Sequence, residues 1–125
     1  MRFGEWEGLT VGEVSVRYPT LHRAWLETPH LVSPPDAETL DEVKARVLKG
    51  LERLRAEHDG ETVCLVTHGV TSRILILEAL GLDLDRFWSL QVSFAGISEL
   101  EFRDDWAVVH RMNTLVHLER LPVAG

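Results

Sequence analysis

Between residues 40 and 57, Leu40, Val43, Val47, Leu51 and Leu54 return every three or four positions, while Lys44, Lys49, Glu52 and Arg53 fall on the other side. That spacing predicts one amphipathic helix. Thr39-Leu40-Asp41-Glu42 begins it with capping-box spacing, in which a threonine oxygen and a glutamate three residues on satisfy free backbone N–H groups. Asp59-Gly60 ends it. A second capping box, Thr10-Val11-Gly12-Glu13, predicts a short helix that stops near Pro19, and Thr20 predicts a cap for another over Leu21 to Glu27. Pro29 to Pro35 holds three prolines and reads as a loop, too short to divide the chain into domains.

The rhythm then changes. Thr62-Val63-Cys64-Leu65-Val66 is a continuous apolar run rich in β-branched residues, which predicts a buried strand of parallel type. Thr67-His68-Gly69 follows, then a helical pattern from Val70 to Leu80, with Gly81 as its stop. Leu82 to Leu90 predicts a further short helix. Gly96 to Phe102 and Trp106 to Met112 flank Asp104-Asp105 and predict an antiparallel hairpin. Helices, one strand, a helix and a hairpin imply an α/β layered fold with a mixed sheet.

Composition narrows the function. The chain has 125 residues, one domain's worth, with 45% apolar and 26% charged residues. A net charge of −7 argues against a nucleic-acid partner, which calls for a basic face. No apolar run is long enough to predict a membrane span, and the N-terminus lacks the apolar core of a signal peptide. The single cysteine, Cys64, excludes an internal disulfide framework and agrees with a cytoplasmic setting; within its apolar strand it reads as an inert core residue. His22, His30, His58, His110 and His117 show no metal-ligand spacing, so no metal or other cofactor is expected. Trp6, Trp25, Trp88 and Trp106 are scattered and read as packing or edge residues. Glu38, Asp41, Glu42 and Glu52 read as caps and a solvated helix face.

One segment suggests chemistry. His68 and Gly69 fall where a predicted strand ends and a helix begins, the usual ligand crevice of open α/β sheets. A helix N-terminus presents free N–H groups and a field that favours anions. Gly69 allows close backbone approach, and His68 adds a side-chain donor. These residues fit a phosphate or carboxylate site; a histidine at a strand end also fits a purely structural role.

Four stretches, in order, resemble the histidine phosphatase superfamily, also called phosphoglycerate-mutase-like. Phe3-Gly4-Glu5-Trp6-Glu7-Gly8 resembles the family's F-G-x-W-E-G segment. Glu38-Thr39-Leu40 is similar to its G-G-E-S-L stretch, with Asp36-Ala37 in place of the glycines. Val66-Thr67-His68-Gly69-Val70, with Arg73, resembles its second-histidine strand and helix, and Asn113-Thr114-Leu115-Val116-His117-Leu118 resembles the terminal N-D-T-x-H-L. The W-E-G form is nearer the phosphatase branch, which includes α-ribazole-phosphate phosphatases, than the glycolytic mutases. The resemblance implies a three-layer α/β/α sandwich with a mostly parallel mixed sheet. It also implies metal-free phosphomonoester hydrolysis through a phosphohistidine, on a small phosphorylated substrate. A first histidine, in an Arg-His-Gly motif, attacks phosphorus, an acid protonates the leaving alcohol, and two arginines and a second histidine hold the phosphoryl oxygens. Of that set the second histidine maps onto His68 as a catalytic residue, with Gly69 at the substrate.

The departures shape the expectation. Arg-His-Gly occurs nowhere in the sequence, and the family's second arginine segment is absent. The family acid lies three residues before the phenylalanine of F-G-x-W-E-G, so counting back from Phe3 lands just before Met1. Residues 1–125 are therefore expected to be a single, incomplete domain that lacks the N-terminal strand, with little turnover by itself. The sheet edge left unpaired beside the His68 strand is expected to promote self-association. The alternatives are a mutase-type phosphoryl transferase, a non-catalytic anion-binding or interaction module, and an unrelated α/β domain.

Overall fold

The computed structural model describes residues 1–119. Local chemistry sets the helix starts. α1 (Val11–Arg17) and α3 (Leu40–Glu57) begin at Thr10 and Thr39, each with both halves of a capping box formed. α2 (Pro19–Glu27) starts earlier than expected: Pro19 occupies its first turn, and Thr20 lies inside the helix rather than capping it. α4 (Gly69–Leu80) is closed by Gly81 in the left-handed conformation. The expected helix after it is a 3₁₀ segment, Leu84–Ser89. β1 (Ile97–Phe102) and β2 (Ala107–Thr114) pair antiparallel around the Asp104-Asp105 turn, with irregular register between Ile97 and Leu100.

α4 is the central element. Ile74, Ile76, Leu77 and Ala79 are all buried, which places apolar residues around the helix rather than along one stripe. It packs against α3, the hairpin and the 84–89 segment. Beside it lies an aromatic cluster. Fully buried Phe87 meets Trp88 edge-on at 4.9 Å and lies 6.1 Å from Trp25, which in turn meets Trp6 and Phe3 edge-to-face at 6.3 Å. The Trp88 indole N–H donates to the Trp25 carbonyl at 2.9 Å. Trp6 and Trp25 are thus packing residues, while Trp106 stands exposed beside Arg103.

The N-terminal segment is fastened to the loop before α3. Glu5 N–H donates to the Pro35 carbonyl at 3.0 Å. Gly4 has φ +54, and a Cβ there would collide with that same carbonyl, so residue 4 must be glycine. Glu38 departs from the sequence expectation of a solvated carboxylate. It is buried, pairs with the Arg46 guanidinium and accepts the Arg2 N–H at 2.6 Å. The hydrogen bond from Arg46, then that from Arg2, holds its carboxyl down to about 2.

The structure differs from the sequence expectations at four further points. Among the described residues the sheet has two antiparallel strands, and no parallel pairing is seen. Thr62–Val66 carries no strand: its backbone makes no ladder hydrogen bond among the described residues, and it is exposed throughout, Val66 to 92%. A strand requires a neighbour for its N–H and C=O groups, and none lies beside this segment. Cys64 is exposed with it rather than a core residue. The α3 stripe follows the same cause. Leu40 and Val43 are buried, but Val47, Leu51 and Leu54 are only partly covered, against α4 and not a sheet.

Two expectations for stability follow. Leu40→Ala should cost about 2–5 kcal/mol in urea unfolding, the range for emptying a buried leucine site, and Leu51→Ala roughly half as much or less. Because Glu38 titrates below the ordinary 4.5, its contribution is complete above pH 4.5 and is lost as pH falls towards 2. Melting temperature should therefore drop across that window, and Glu38→Gln should flatten the drop while lowering stability at neutral pH.

Candidate functional site

The two residues expected from the sequence to form a site, His68 and Gly69, stand at the start of α4. His68 is the N-cap residue, with φ −109 and ψ 164, and its carbonyl accepts the Ser72 N–H at 3.0 Å as the first bond of the helix. No side chain caps this end. The N–H groups of Gly69, Val70 and Thr71 therefore have no acceptor among the described residues, as the geometry of a helix start requires. The His68 side chain is exposed and free of protein hydrogen bonds there. His68 and Gly69 thus adjoin an anion-favouring helix terminus, in the order read from the sequence.

They lie outside two concavities among the described residues. One, of about 410 Å³, is lined by His30, Asp41, Lys44 and Asp83, and the other, of about 430 Å³, by Arg55, Phe102 and Trp106. Neither includes His68. Among the described residues the segment leading to His68 has no strand beside it.

Arg73, one turn into α4, is the nearest cation along the helix. Its guanidinium reaches back to within 3.5 Å of where a Cβ on Gly69 would stand. It lies over the Trp88 ring at 4.6 Å and the Phe87 ring at 5.3 Å, and its Nε–H donates to the Leu90 carbonyl at 3.3 Å. Partial burial pushes its pKa below the ordinary arginine value, but a guanidinium in protein stays charged. The sequence motif contained this arginine, yet its aromatic seat depends on residues up to seventeen positions away and had no local signal.

The remaining motif residues have structural bonds. Asn113, at φ +51, accepts the Ser93 N–H at 2.8 Å, and His117 bonds the Ala95 carbonyl at 2.9 Å, so the terminal motif fastens the 93–96 turn. Glu5 accepts the Tyr18 hydroxyl at 2.8 Å and Glu7 accepts the Phe3 N–H at 2.9 Å. Both carboxylates are thus engaged locally. No group of three or more His, Cys, Asp or Glu side chains suited to a metal ion occurs among the described residues. No helix there is long and apolar enough to cross a membrane.

Comparison with known proteins gives the family. The chain is 36% identical to phosphoserine phosphatase 1 of Hydrogenobacter thermophilus over 92% of its length, which is 54% of that protein. It spans about half the length of this relative. Its fold superposes on Bacillus stearothermophilus YhfR with a TM-score of 0.85 at 28% identity, covering 94% of this chain and 58% of that one. A phosphoserine phosphatase mutant from Entamoeba histolytica, in complex with phosphoserine, shares the fold with a TM-score of 0.74 at 21% identity, over 90% of this chain and 56% of that one. The family model for the histidine phosphatase superfamily, branch 1, matches residues 1–115, and the chain belongs to that superfamily.

Proposed function

We propose that this chain forms the second-histidine half of a phosphomonoesterase site. The carrying observation is the placement of His68 and Gly69 at an uncapped helix N-terminus, in a chain matched by the family model over residues 1–115. In this reading a histidine nitrogen from a segment outside these motifs attacks phosphorus as the ester P–O bond breaks. The alcohol leaves with a proton from an acid, and water then cleaves the phosphohistidine to release phosphate. His68 donates to a phosphoryl oxygen as charge develops, and the amides at Gly69 hold a second. The substrate is a small phosphate monoester; phosphoserine is the first to test, because a relative of 36% identity is named for it.

The reading also gives the bare segment a role. In the whole domain Thr62–Val66 takes its place in a mostly parallel sheet within a three-layer sandwich, beside the strand that brings the nucleophile. That pairing supplies a wall of the cleft. Val63, Leu65 and Val66, all exposed here, are the surface it covers.

The decisive assay compares residues 1–125 with a chain extended upstream by a first strand that carries Arg-His-Gly. Hydrolysis of an aryl phosphate and of phosphoserine should occur only in the extended chain, and His68→Ala should reduce it. Without the nucleophile the loss should be on the order of 10⁴- to 10⁶-fold. Strong hydrolysis by residues 1–125, abolished by His68→Ala, would make His68 the nucleophile and overturn the assignment. Phosphate binding without turnover in either chain would favour a non-catalytic anion-binding module, and transfer to a second acceptor a mutase. Light scattering supplies a separate check: residues 1–125 should self-associate through the bare edge, and a second strand in the extended chain should suppress this.

A further inference from the structure

Arg73 combines three features that do not occur together elsewhere among the described residues. Its guanidinium is partly buried, no carboxylate lies within ion-pair distance of it among the described residues, and it is stacked on two aromatic rings. A cation taken partly out of water normally gains a counter-ion. This one is held instead by the π faces of Trp88 and Phe87 and by the Leu90 carbonyl. On its other side stands the first residue of α4, Gly69. The Trp88 indole beneath it is itself fixed, through its N–H to the Trp25 carbonyl. A continuous chain of contacts thus runs from the end of α2 through Trp88 and Arg73 to the turn that carries His68.

We infer that Arg73 is a positioning residue of the half-site: it clamps the first turn of α4 onto the 84–90 segment and so fixes the direction of His68 and the Gly69 amide. The inference deepens the phosphate-site reading and rests on it for its functional consequence, but the clamp itself is a property of the free protein. It depends on a flat, forked cation. Lysine keeps the charge but cannot stack in the same way or offer the Nε–H to Leu90.

The test uses residues 1–125 and reads the Ser72 amide, whose bond to the His68 carbonyl is the first of the helix. Hydrogen exchange at Ser72 should be about tenfold faster in Arg73→Ala, the effect of losing a stacked cation and a charge-assisted hydrogen bond. Val47 in α3 should exchange as before. Arg73→Lys should fail to restore Ser72, and Trp88→Leu, which removes the clamp's other face, should loosen it too. NMR signals of the His68 ring should shift in all three variants. Titration with inorganic phosphate should perturb His68 and Gly69 in the wild type, with about tenfold weaker binding in Arg73→Ala.

Unchanged exchange at Ser72, or full rescue by lysine, would overturn the clamp, the second outcome by showing that charge alone matters. Equal acceleration at Ser72 and Val47 would also overturn it, because Arg73 would then support the whole fold rather than this turn. If Arg73→Ala does not fold, the lysine and Trp88→Leu variants decide the matter by the same readouts. Faster exchange at Ser72 in a protein whose His68 and Gly69 ignore phosphate would uphold the clamp and sink the phosphate-site reading instead.

Discussion

The contact of Trp25 with Phe87 and Trp88 joins two parts of the chain that are more than sixty residues apart. Residues 1 to 27 hold two short helices and a 3₁₀ turn, too little to form a core alone. Their large apolar side chains find burial against the segment that follows α4. Phe87 belongs to that segment and is fully buried, so burial of Trp25 and alignment of α4 are one event. Trp6 and Phe3 then pack on Trp25, which brings the N-terminal motif to the same cluster. The placement of His68 is downstream of this contact, since α4 has no sheet of its own to rest on beyond one hairpin.

Features that depend on near neighbours were legible in the sequence. Both capping boxes form, because each needs only residues three apart. The Gly81 stop and the Asp104-Asp105 hairpin are local in the same sense. Thr62–Val66 shows the opposite case. Its composition favours a strand, but a strand exists only with a partner, and composition carries no information about whether one is present. Glu38 was misread for a related reason: its partners are Arg46, two turns along α3, and the backbone of Arg2, which only the folded loop brings near.

The candidate site divides in the same way. His68 and Gly69 could be read because histidine and glycine at the start of a helix have a chemical meaning where they stand. Arg73 was visible as a motif residue, but not as a stacked cation, since Trp88 and Leu90 arrive through the 81–90 turn. The superfamily match gives the family of the chain, while the geometry describes what stands at the start of α4. There the chain brings together free backbone N–H groups, the exposed His68 side chain and the Arg73 guanidinium.

Gly4 has a consequence on the scale of descent rather than of folding. Any side chain at that position would push away the Pro35 carbonyl, which also receives the Glu5 N–H. The displacement would pass along the loop to Glu38, whose N–H is bonded to the Arg2 carbonyl. In a lineage of such sequences, residue 4 and the loop from 34 to 38 cannot drift independently. The glycine and the shape of that loop thus form a single inherited constraint, although they lie some thirty residues apart.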